Sequence, residues 1–453
     1  MLIRNATLAD GRVRDVRVEG ERIAAVDEDL TAGDDEGVLV ATGKRLLPGM
    51  IDVHVHFRQP GFGHKEDWTT GSRSAAAGGV TTVVDQPNTD PPTTTGRAFD
   101  EKAAFARASA VDYGINGGVT ADWDPDSLFD RPLFALGEVF LADSTGDMGI
   151  DADLFDEAVA RAAAEDVPVT VHAEDADLFA ESVLPRGAQS SGEQSEPRDD
   201  ALDGPDDADA WSAYRTPEAE VAAVERAGEV AADHDATVHI AHTSTPEGVD
   251  AAVEAGLTCE VTPHHLFLSR DDLDDLGTFG RMNPPLRDEN RREALFERLA
   301  DGTVDVVATD HAPHTREEKN AGIWDAPSGV PGVETALPLL LAAARDGLLS
   351  YERVRDVTAA NPAEIFGLPR KGRIEEGRDA DLVLVDPSET RSIRGLDLHS
   401  KCGWTPFEGF EGVFPEWTVL RGSVVYDGGE DAFAEAQGRN VRTDTRDTGG
   451  DAA

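Results

Sequence analysis

The sequence predicts an α/β protein in which a (β/α)8 barrel is joined to a small β-sandwich domain formed from both chain ends. Two features of the hydrophobic pattern support this prediction. In the middle of the chain, short apolar segments alternate with Ala-rich amphipathic segments, which is typical of strands that alternate with helices. Near both ends, apolar and polar residues alternate with a period of two, which is typical of strands alone. A chain of 453 residues is long enough for one large domain and one smaller domain.

The terminal regions supply the predicted small domain. Residues 1–48 alternate in the manner of short strands, with a turn at Glu19-Gly20. Residues 374–426 repeat this pattern, so we expect the two regions to pair. The predicted small β domain therefore comprises residues 1–48 and 370–427, and the barrel comprises residues 49–369. Residues 428–453 are polar and rich in Gly and Asp, which favours a mobile acidic tail.

The barrel region contains eight short apolar segments that we interpret as strands. Residues 186–210 interrupt the rhythm as a solvated insertion, and residues 314–332 form a second long loop rich in Gly and Pro. The predicted strands span residues 50–56, 80–86, 113–119, 134–140, 167–172, 237–242, 257–262 and 304–310. The clearest helical patterns between them span residues 72–77, 100–110, 153–164, 217–233, 246–255 and 291–300.

Charge is the unusual bulk property of this chain. It has 89 acidic and 41 basic residues, a formal net charge of −48, and only six of the basic residues are Lys. The acidic residues are spread along the whole chain, so they do not form one partner-binding tail, and they would repel nucleic acid. This pattern favours a surface adapted to concentrated salt, because the Debye length falls to about 3 Å at 1 M and self-repulsion is then screened.

The sequence has no sign of a membrane or secreted protein. Its apolar runs fall short of the ~20 residues that span a bilayer. Residues 1–5 lack the long apolar core of a signal peptide and fit the first predicted strand. Cys259 and Cys402 are too few for a disulfide framework, and we interpret them as reduced thiols. These features predict a cytoplasmic protein.

The first predicted barrel strand ends in residues that suit a metal ion. Its apolar run leads to His54 and His56, and Arg58 follows. Because strand side chains alternate between faces, the two imidazoles point the same way, about 7 Å apart. Both could reach one metal ion, with Arg58 just beyond for an anionic ligand. Taken alone, the pair fits two structural histidines equally well.

The later strands add polar residues at the same end of the predicted barrel, where such barrels place their active sites. Imidazole and carboxylate ligands without Cys favour Zn²⁺ or a related divalent ion in a hydrolytic site. Two such ions need a shared ligand, for which a carboxylate on the fourth strand is the candidate. In chain order, these strand ends carry Asn88, Glu138, His172, His242, His264 with His265, Asn283, and Asp310 with His311 and His314.

Seven stretches of the sequence, taken together, match one known family. They are residues 48–61 (PGMIDVHVHFRQPG), 64–67 (HKED), 86–89 (QPNT), 263–268 (PHHLFL), 283–287 (NPPLR), 310–314 (DHAPH) and 331–335 (PGVET). Over nearly its whole length the chain resembles the class I dihydroorotases of the amidohydrolase superfamily. The resemblance implies a metal-bearing barrel flanked by a small β domain. It also implies reversible cyclisation of N-carbamoyl-L-aspartate to (S)-dihydroorotate and water, in de novo pyrimidine (UMP) biosynthesis.

The resemblance further implies roles for individual residues. His54 and His56 would bind the first metal ion, and His172 and His242 the second. Asp310 would bind the first ion and act as general base and acid. We expect two Zn²⁺ ions per subunit, although another divalent ion would suit the same ligands. The residues implied to bind the substrate are His56, Arg58, Asn88, Asn283, His314, Pro331 and Gly332.

One position departs from a common pattern in the resembled family. Many members use a carboxylated lysine on the fourth strand to bridge the two metal ions. Here Glu138 aligns with that lysine, 34 residues before His172. Its carboxylate could bridge the ions without carbon dioxide, although its side chain is shorter. We therefore assign Glu138 as the bridging ligand, with Asp143 or Asp147 as the alternative.

Two other functions compete with this interpretation. Another cyclic amidohydrolase, allantoinase or dihydropyrimidinase, would share the barrel and the metal site. A non-catalytic dihydroorotase-like scaffold that partners a transcarbamoylase would be a different class, but it should have lost ligands that this chain retains. We expect a small-molecule substrate, a homodimer or higher homo-oligomer, and association with a transcarbamoylase as a further option, but neither nucleic acid nor a membrane as partner.

Overall fold

The structure is a computed structural model that describes residues 1–142, 148–184, 208–428 and 433–443. None of the helices in these ranges is both long enough and apolar enough to cross a membrane. Asp143 and Asp147, the alternative bridging ligands, lie outside the described residues. So do residues 186–207, most of the predicted insertion.

The chain begins with five strands, β1 (Leu2–Thr7), β2 (Val13–Glu19), β3 (Arg22–Asp27), β4 (Val38–Val40) and β5 (Arg45–Pro48). The first three form an antiparallel meander, and β4 and β5 pair parallel to β1. The predicted turn joins β2 to β3, where Gly20 has a φ of +57° that glycine adopts without steric cost.

Eight parallel strands then form the barrel. They are β6 (Met50–Val55), β7 (Val80–Asp85), β8 (Asp112–Ile115), β9 (Leu136–Phe140), β10 (Val169–His172), β11 (Val238–Ile240), β12 (Thr258–Val261) and β13 (Val306–Val307). One arc contains β6–β8 and the other contains β9–β13. Bridges between Gly117 and Leu136 and between Val55 and His311 join the two arcs. All eight predicted strands are present, and the (β/α)8 (TIM) barrel is confirmed.

The helices of the described residues lie around this barrel and in the loops. They are α1 (Trp68–Ala77), α2 (Gly96–Ala106), α3 (Pro125–Phe129), α4 (Ala152–Ala164), α5 (Ala208–Tyr214), α6 (Pro217–His234), α7 (Pro246–Glu254), α8 (Pro263–Phe267), α9 (Leu273–Leu276), α10 (Glu289–Asp301), α11 (Arg316–Lys319), α12 (Ala336–Arg345), α13 (Tyr351–Arg355) and α14 (Asn361–Ile365). The six predicted helices correspond to α1, α2, α4, α6, α7 and α10. Helices α1 and α2 begin earlier than predicted because Asp67 and Thr95 cap their N-termini.

Five further strands follow the helices, namely β14 (Leu382–Val385), β15 (Arg391–Ser392), β16 (Glu411–Gly412), β17 (Pro415–Leu420) and β18 (Ser423–Tyr426). Strand β14 pairs antiparallel with β5, with Leu382 opposite Pro48. The two chain ends therefore share one sheet of order β18-β17-β14-β5-β1-β2-β3, with β4 on β1. The prediction that both ends build one small β domain is confirmed.

Residues 433–443 differ from the mobile tail expected for residues 428–453. Gly438 N donates to Ser109 O at 3.0 Å, and Val441 N donates to Tyr113 O at 2.9 Å. This segment packs on the barrel because Gly438 has no Cβ, which would lie 1.9 Å from Val111 O, and because Val441 is buried. The polar composition of this segment does not reveal that its backbone can pack closely against the barrel.

Candidate metal centre

The C-terminal ends of the barrel strands bring six predicted ligands into one buried cluster. His54 lies on β6 and His56 directly follows it, Glu138 lies on β9, and His172 ends β10. His242 and Asp310 follow β11 and β13, respectively. Parallel strands in a barrel end at the same face, which explains why residues so distant in sequence meet there. We call His54, His56, Glu138, His172, His242 and Asp310 the metal cluster; each is at most 6% exposed.

Glu138 lies at the centre of the metal cluster. Its Oε1 is 3.0 Å from His172 Nδ1 and 2.6 Å from His242 Nε2. Its Oε2 is 3.3 Å from His54 Nε2. Two groups of possible ligands have their atoms within 4.8 Å of one another, His54 with His56 and Glu138, and Glu138 with His172 and His242. Glu138 belongs to both groups, which is the position of a bridging ligand.

Asp310 lies beside the first of these groups. Its Oδ1 is 3.0 Å from His56 Nε2 and 3.6 Å from His54 Nε2. The carboxylate therefore faces the same two imidazoles that the sequence assigns to the first metal ion.

The atoms of the metal cluster fit a divalent cation. His172 Nδ1 and His242 Nε2 are 3.0 Å apart, and both face the same carboxylate oxygen of Glu138. His54 Nε2 is buried and has no hydrogen-bond partner among the described residues. A cation between such lone pairs would satisfy atoms that otherwise remain buried without a partner. Imidazole and carboxylate ligands without Cys suit Zn²⁺ or a related ion.

The electrostatics of the metal cluster favour positive charge within it. Burial alone would raise the pKa of Glu138, but the charges of His54 and His242 lower it well below its usual range. Burial would lower the pKa of His54, but Glu138 and Glu260 raise it well above its usual range. Burial likewise opposes protonation of His172, whose pKa Glu138 and Glu174 nevertheless raise to about 9. The surrounding carboxylates thus stabilise a cation at this place.

Polar residues behind the ligands orient the imidazoles. Glu260 Oε1 lies 2.7 Å from His54 Nδ1, and Glu174 Oε2 lies 2.8 Å from His172 Nε2. Such contacts fix which imidazole nitrogen faces a metal ion. Arg215 Nε donates to Glu174 Oε1 at 3.0 Å. The sequence pattern alone does not predict these supporting residues. The signal that could have identified one of them is an acidic residue within an otherwise apolar strand, as Glu260 is.

A small cavity of about 20 Å³ lies beside the metal cluster. Four of the predicted substrate-binding residues, His56, Arg58, Asn88 and Asn283, lie in its wall. Burial lowers the pKa of Arg58 to about 10, so the guanidinium stays charged at neutral pH. The remaining described residues of the wall are Glu138, Phe140, His242, Asp310, Ala312, Ser328 and Gly329.

The other three predicted substrate-binding residues lie outside the described wall of this cavity. His314 lies behind Arg58, with Nε2 3.1 Å from Arg58 Nη2 and 2.9 Å from Ser328 O. Gly332 N donates to His311 Nδ1 at 3.1 Å, and Pro331 precedes it. Loop 314–332 instead reaches the cavity through Ser328 and Gly329, which sequence motifs do not single out.

Three site residues have unusual backbone conformations. Arg58, His242 and Asp310 have φ values of +64°, +33° and +45°, in the left-handed region that non-glycine residues rarely adopt. Such conformations are concentrated at functional sites, where the surrounding structure holds them.

The family model described as Amidohydrolase family matches residues 45–410. The chain is 71% identical to a dihydroorotase of Halobacterium salinarum, over 97% of this chain and 99% of the relative. It is 42% identical to a dihydroorotase of Methanosarcina acetivorans, over 97% and 96%, respectively. The relative from Halobacterium salinarum also supports the predicted salt adaptation.

Solved structures resemble the fold over the same length. The L-hydantoinase (dihydropyrimidinase) of Arthrobacter aurescens has a TM-score of 0.88 and 28% identity, over 96% of this chain and 98% of its own. The dihydropyrimidinase of Brevibacillus agri has a TM-score of 0.85 and 29% identity, over 97% and 98%. With its barrel, its buried ligand cluster and these matches, the chain belongs to the amidohydrolase family.

Proposed function

We propose that the protein is a dihydroorotase, a metal-dependent cyclic amide hydrolase that interconverts N-carbamoyl-L-aspartate and (S)-dihydroorotate plus water in pyrimidine biosynthesis. The observation that carries the proposal is one cavity whose wall contains Arg58, Glu138 and Asp310. This cavity combines a cation for an anionic substrate with the carboxylates of a hydrolytic metal site. The 71% identity to a dihydroorotase over nearly the full length supports the choice of substrate.

The proposal includes two Zn²⁺ ions per subunit, with another divalent ion as an alternative. His54, His56 and Asp310 would hold the first ion, His172 and His242 would hold the second, and the Glu138 carboxylate would bridge both. Bound ions would supply Lewis acidity that polarises the amide carbonyl and lowers the pKa of water.

Asp310 would handle the proton of the reaction. In the hydrolytic direction, its carboxylate would accept a proton from the attacking water and pass it to the ring nitrogen that leaves. In the direction of cyclisation, the same carboxylate would take the proton from that nitrogen and pass it to the oxygen that leaves as water. Its contact with His56 Nε2 at 3.0 Å holds Oδ1 at the cavity wall.

Arg58 and two amides would bind the substrate. The planar guanidinium of Arg58 can donate two parallel hydrogen bonds to a carboxylate. Asn88 and Asn283 lie in the same wall and can donate to carbonyl or carboxylate oxygens. His314 would act from behind Arg58. Pro331 and Gly332 would reach the substrate if loop 314–332 closed over it.

The proposal also covers the cellular location of the enzyme and its assembly with other chains. We propose a cytoplasmic enzyme that forms a homodimer or higher homo-oligomer and that can associate with a transcarbamoylase. Cys259 and Cys402 are buried and form no disulfide, as expected for reduced thiols. Light scattering of the purified chain, with and without an added transcarbamoylase, would measure both assemblies.

A direct test compares three ring substrates in concentrated KCl. We expect the metal-loaded protein to hydrolyse dihydroorotate far faster than dihydrouracil or allantoin. The structural likeness to dihydropyrimidinases makes dihydrouracil the relevant competitor. Preferential hydrolysis of dihydrouracil or allantoin would replace the proposed activity by that of another cyclic amidohydrolase. Failure to bind any metal would favour the non-catalytic scaffold.

A further inference from the structure

A buried glutamine beside the metal cluster connects the two arcs of the barrel. Gln86 directly follows β7, in the arc β6–β8, and is 1% exposed. Its Oε1 accepts from the backbone N of Glu138, which lies on β9 in the other arc, at 2.9 Å. Its Nε2 donates to Val53 O on β6 at 3.2 Å. One side chain therefore joins the backbone next to His54 to the backbone of the proposed bridging ligand.

The partners of Gln86 fix which end of its amide faces which strand. A backbone N–H can only donate and a carbonyl oxygen can only accept, so the amide oxygen faces Glu138 and the NH2 group faces Val53. Asn116 Nδ2 also donates to Gln86 Oε1, at 3.0 Å. The oxygen of Asn116 is fixed in turn, because Asn116 Oδ1 accepts from Ala135 N at 3.0 Å. Backbone groups thus determine the orientation of both amides.

The main chain of Gln86 is held on both sides. Gln86 N donates to Val55 O at 2.9 Å. The buried Lys102 donates to Gln86 O, and its Nζ lies 2.7 Å from Asp85 Oδ2. Since its main chain and its amide are both anchored, Gln86 can hold Glu138 at a fixed distance from β6.

The spacing of the two arcs matters because they supply different ligands. His54 and His56 come from the arc β6–β8, whereas Glu138, His172 and His242 come from the arc β9–β13. Glu138 belongs to both groups of possible ligands. Because a glutamate side chain is short, the main chain at Glu138 decides whether its carboxylate can reach the histidines of both arcs.

We propose that Gln86 is a positioning residue that sets the spacing between the two halves of the metal site. By holding Glu138 N and Val53 O, it keeps the carboxylate of Glu138 opposite His54. Residues that orient metal ligands from behind commonly contribute 10- to 100-fold to metal affinity. The inference rests on the proposed function for its two metal ions, but it can be tested without any substrate.

The first experiment compares Gln86→Met with Thr418→Val as a matched control. Methionine is about as long as glutamine but cannot replace its hydrogen bonds. We expect the affinity of Gln86→Met for at least one Zn²⁺ ion to fall about 10- to 100-fold, as measured by competition with a chelator. Thr418→Val removes a buried hydrogen bond to Ala76 O of 2.7 Å from β17 and should keep wild-type affinity. Unchanged affinity in Gln86→Met, or equal losses in both variants, would overturn the proposal.

Thermal unfolding with and without Zn²⁺ separates positioning from packing. Ions that bind only the folded chain raise its Tm by an amount that depends on their affinity. We expect the difference in Tm between the metal-loaded and metal-free forms to be smaller in Gln86→Met than in the wild type. Thr418→Val should lower both Tm values and leave their difference unchanged. An unchanged difference in Gln86→Met would mean that Gln86 supports only the fold, which would contradict the proposal.

Gln86→Asn tests the same contact even if Gln86→Met does not fold. Asparagine keeps the amide but is one methylene shorter, so its oxygen is drawn back from Glu138 N. We expect a smaller loss of Zn²⁺ affinity than in Gln86→Met. Wild-type affinity in Gln86→Asn would refute the proposed role.

The wild-type protein distinguishes a failure of this inference from a failure of the proposed function. If it binds two ions but does not hydrolyse dihydroorotate, the proposed function fails, while the affinities of the variants still decide the role of Gln86. If it hydrolyses dihydroorotate and the variants bind Zn²⁺ as tightly as it does, the role of Gln86 fails. A wild-type chain that binds no metal would overturn both.

Discussion

Two of the buried clusters of charged residues in the described part of the protein are built differently. The metal cluster lies at the C-terminal ends of the barrel strands. The second cluster lies near the N-terminal end of β8, where Lys371 Nζ is 2.8 Å from Asp112 Oδ2 and 2.6 Å from Asp381 Oδ2. Arg421 also pairs with Asp112, and Asp379 pairs with Arg22. We call Asp112, Lys371, Asp379, Asp381 and Arg421 the structural cluster.

The difference lies in the countercharges. In the structural cluster, lysine and arginine side chains balance the aspartates. In the metal cluster, neither Glu138 nor Asp310 forms an ion pair with Lys or Arg of the described residues, and imidazoles are their partners. Because buried charge is costly unless it is compensated, the carboxylates of the metal cluster must be balanced by protonated imidazoles or by a bound cation. Imidazole partners in place of Lys and Arg, rather than buried charge itself, distinguish this candidate metal site from a structural ion pair.

The largest expected effect comes from Glu138→Gln, which removes the carboxylate shared by both ligand groups. We expect the loss of at least one metal ion per chain and a fall in activity of about 10⁴-fold or more. Metal analysis after gel filtration, together with an activity assay, would measure both. Asp143→Asn is the matched variant and should keep two ions. Loss of metal from Asp143→Asn but not from Glu138→Gln would instead identify Asp143 as the bridging ligand.

Asp310→Asn should have the next largest effect, because it removes the proposed proton carrier. We expect kcat to fall by about 10³-fold, while the ion held by His172 and His242 stays bound. Steady-state kinetics and metal content on one preparation would show this. Near-full activity would rule out the proton-transfer role.

Asp112→Asn should change folding without changing metal content. It leaves Lys371 and Arg421 buried with less countercharge, which should cost about 3–5 kcal/mol in the free energy of unfolding. Denaturant unfolding at constant KCl would measure this loss. Loss of metal from this variant would contradict the separation of the two clusters.

Asp112 should also make the stability of the protein depend on pH. Burial alone would raise the pKa of Asp112, but Lys371 and Arg421 lower it. Asp112 therefore stabilises the folded protein fully above the pKa that it has in the unfolded chain, about 3.9. This stabilisation is lost as the pH falls through its lower pKa in the folded protein. The wild type should accordingly lose more stability in acid than Asp112→Asn does. Parallel acid unfolding curves for the two proteins would argue against this ion pair.

Glu260→Gln and Glu174→Gln should have the smallest effects, because these residues act on the ligands from behind. We expect metal affinity to fall about 10- to 100-fold in each. Competition with a chelator would measure the affinity. Glu220→Gln is a suitable control, since Glu220 is a buried acid whose Oε2 accepts from Ser244 N at 3.0 Å, and it contacts no ligand histidine in the described residues. Equal losses in all three variants would mean that buried acids act through stability alone.

The sequence pattern could predict the barrel and the strand ends that carry the metal cluster, because both depend on local signals, whereas the resemblance to dihydroorotases selected the six ligands among the polar residues there. Each strand is a short apolar run, and each ligand stands at its end. Other features depend on contacts between distant residues, such as Trp211 with Asn283, which are 72 positions apart. Helix α12 was not predicted because all its residues up to Ala344 are buried, so its sequence lacks the polar face that would reveal a helical period. Arg215 was not predicted either, because only the fold brings it into contact with Glu174.

The most direct test measures bound metal and dihydroorotate hydrolysis on the same preparation in concentrated KCl. We expect two divalent ions per chain, hydrolysis that a chelator abolishes, and recovery when Zn²⁺ is restored. Undiminished hydrolysis by the metal-free protein would contradict the central claim that hydrolysis depends on a metal ion bound at the metal cluster.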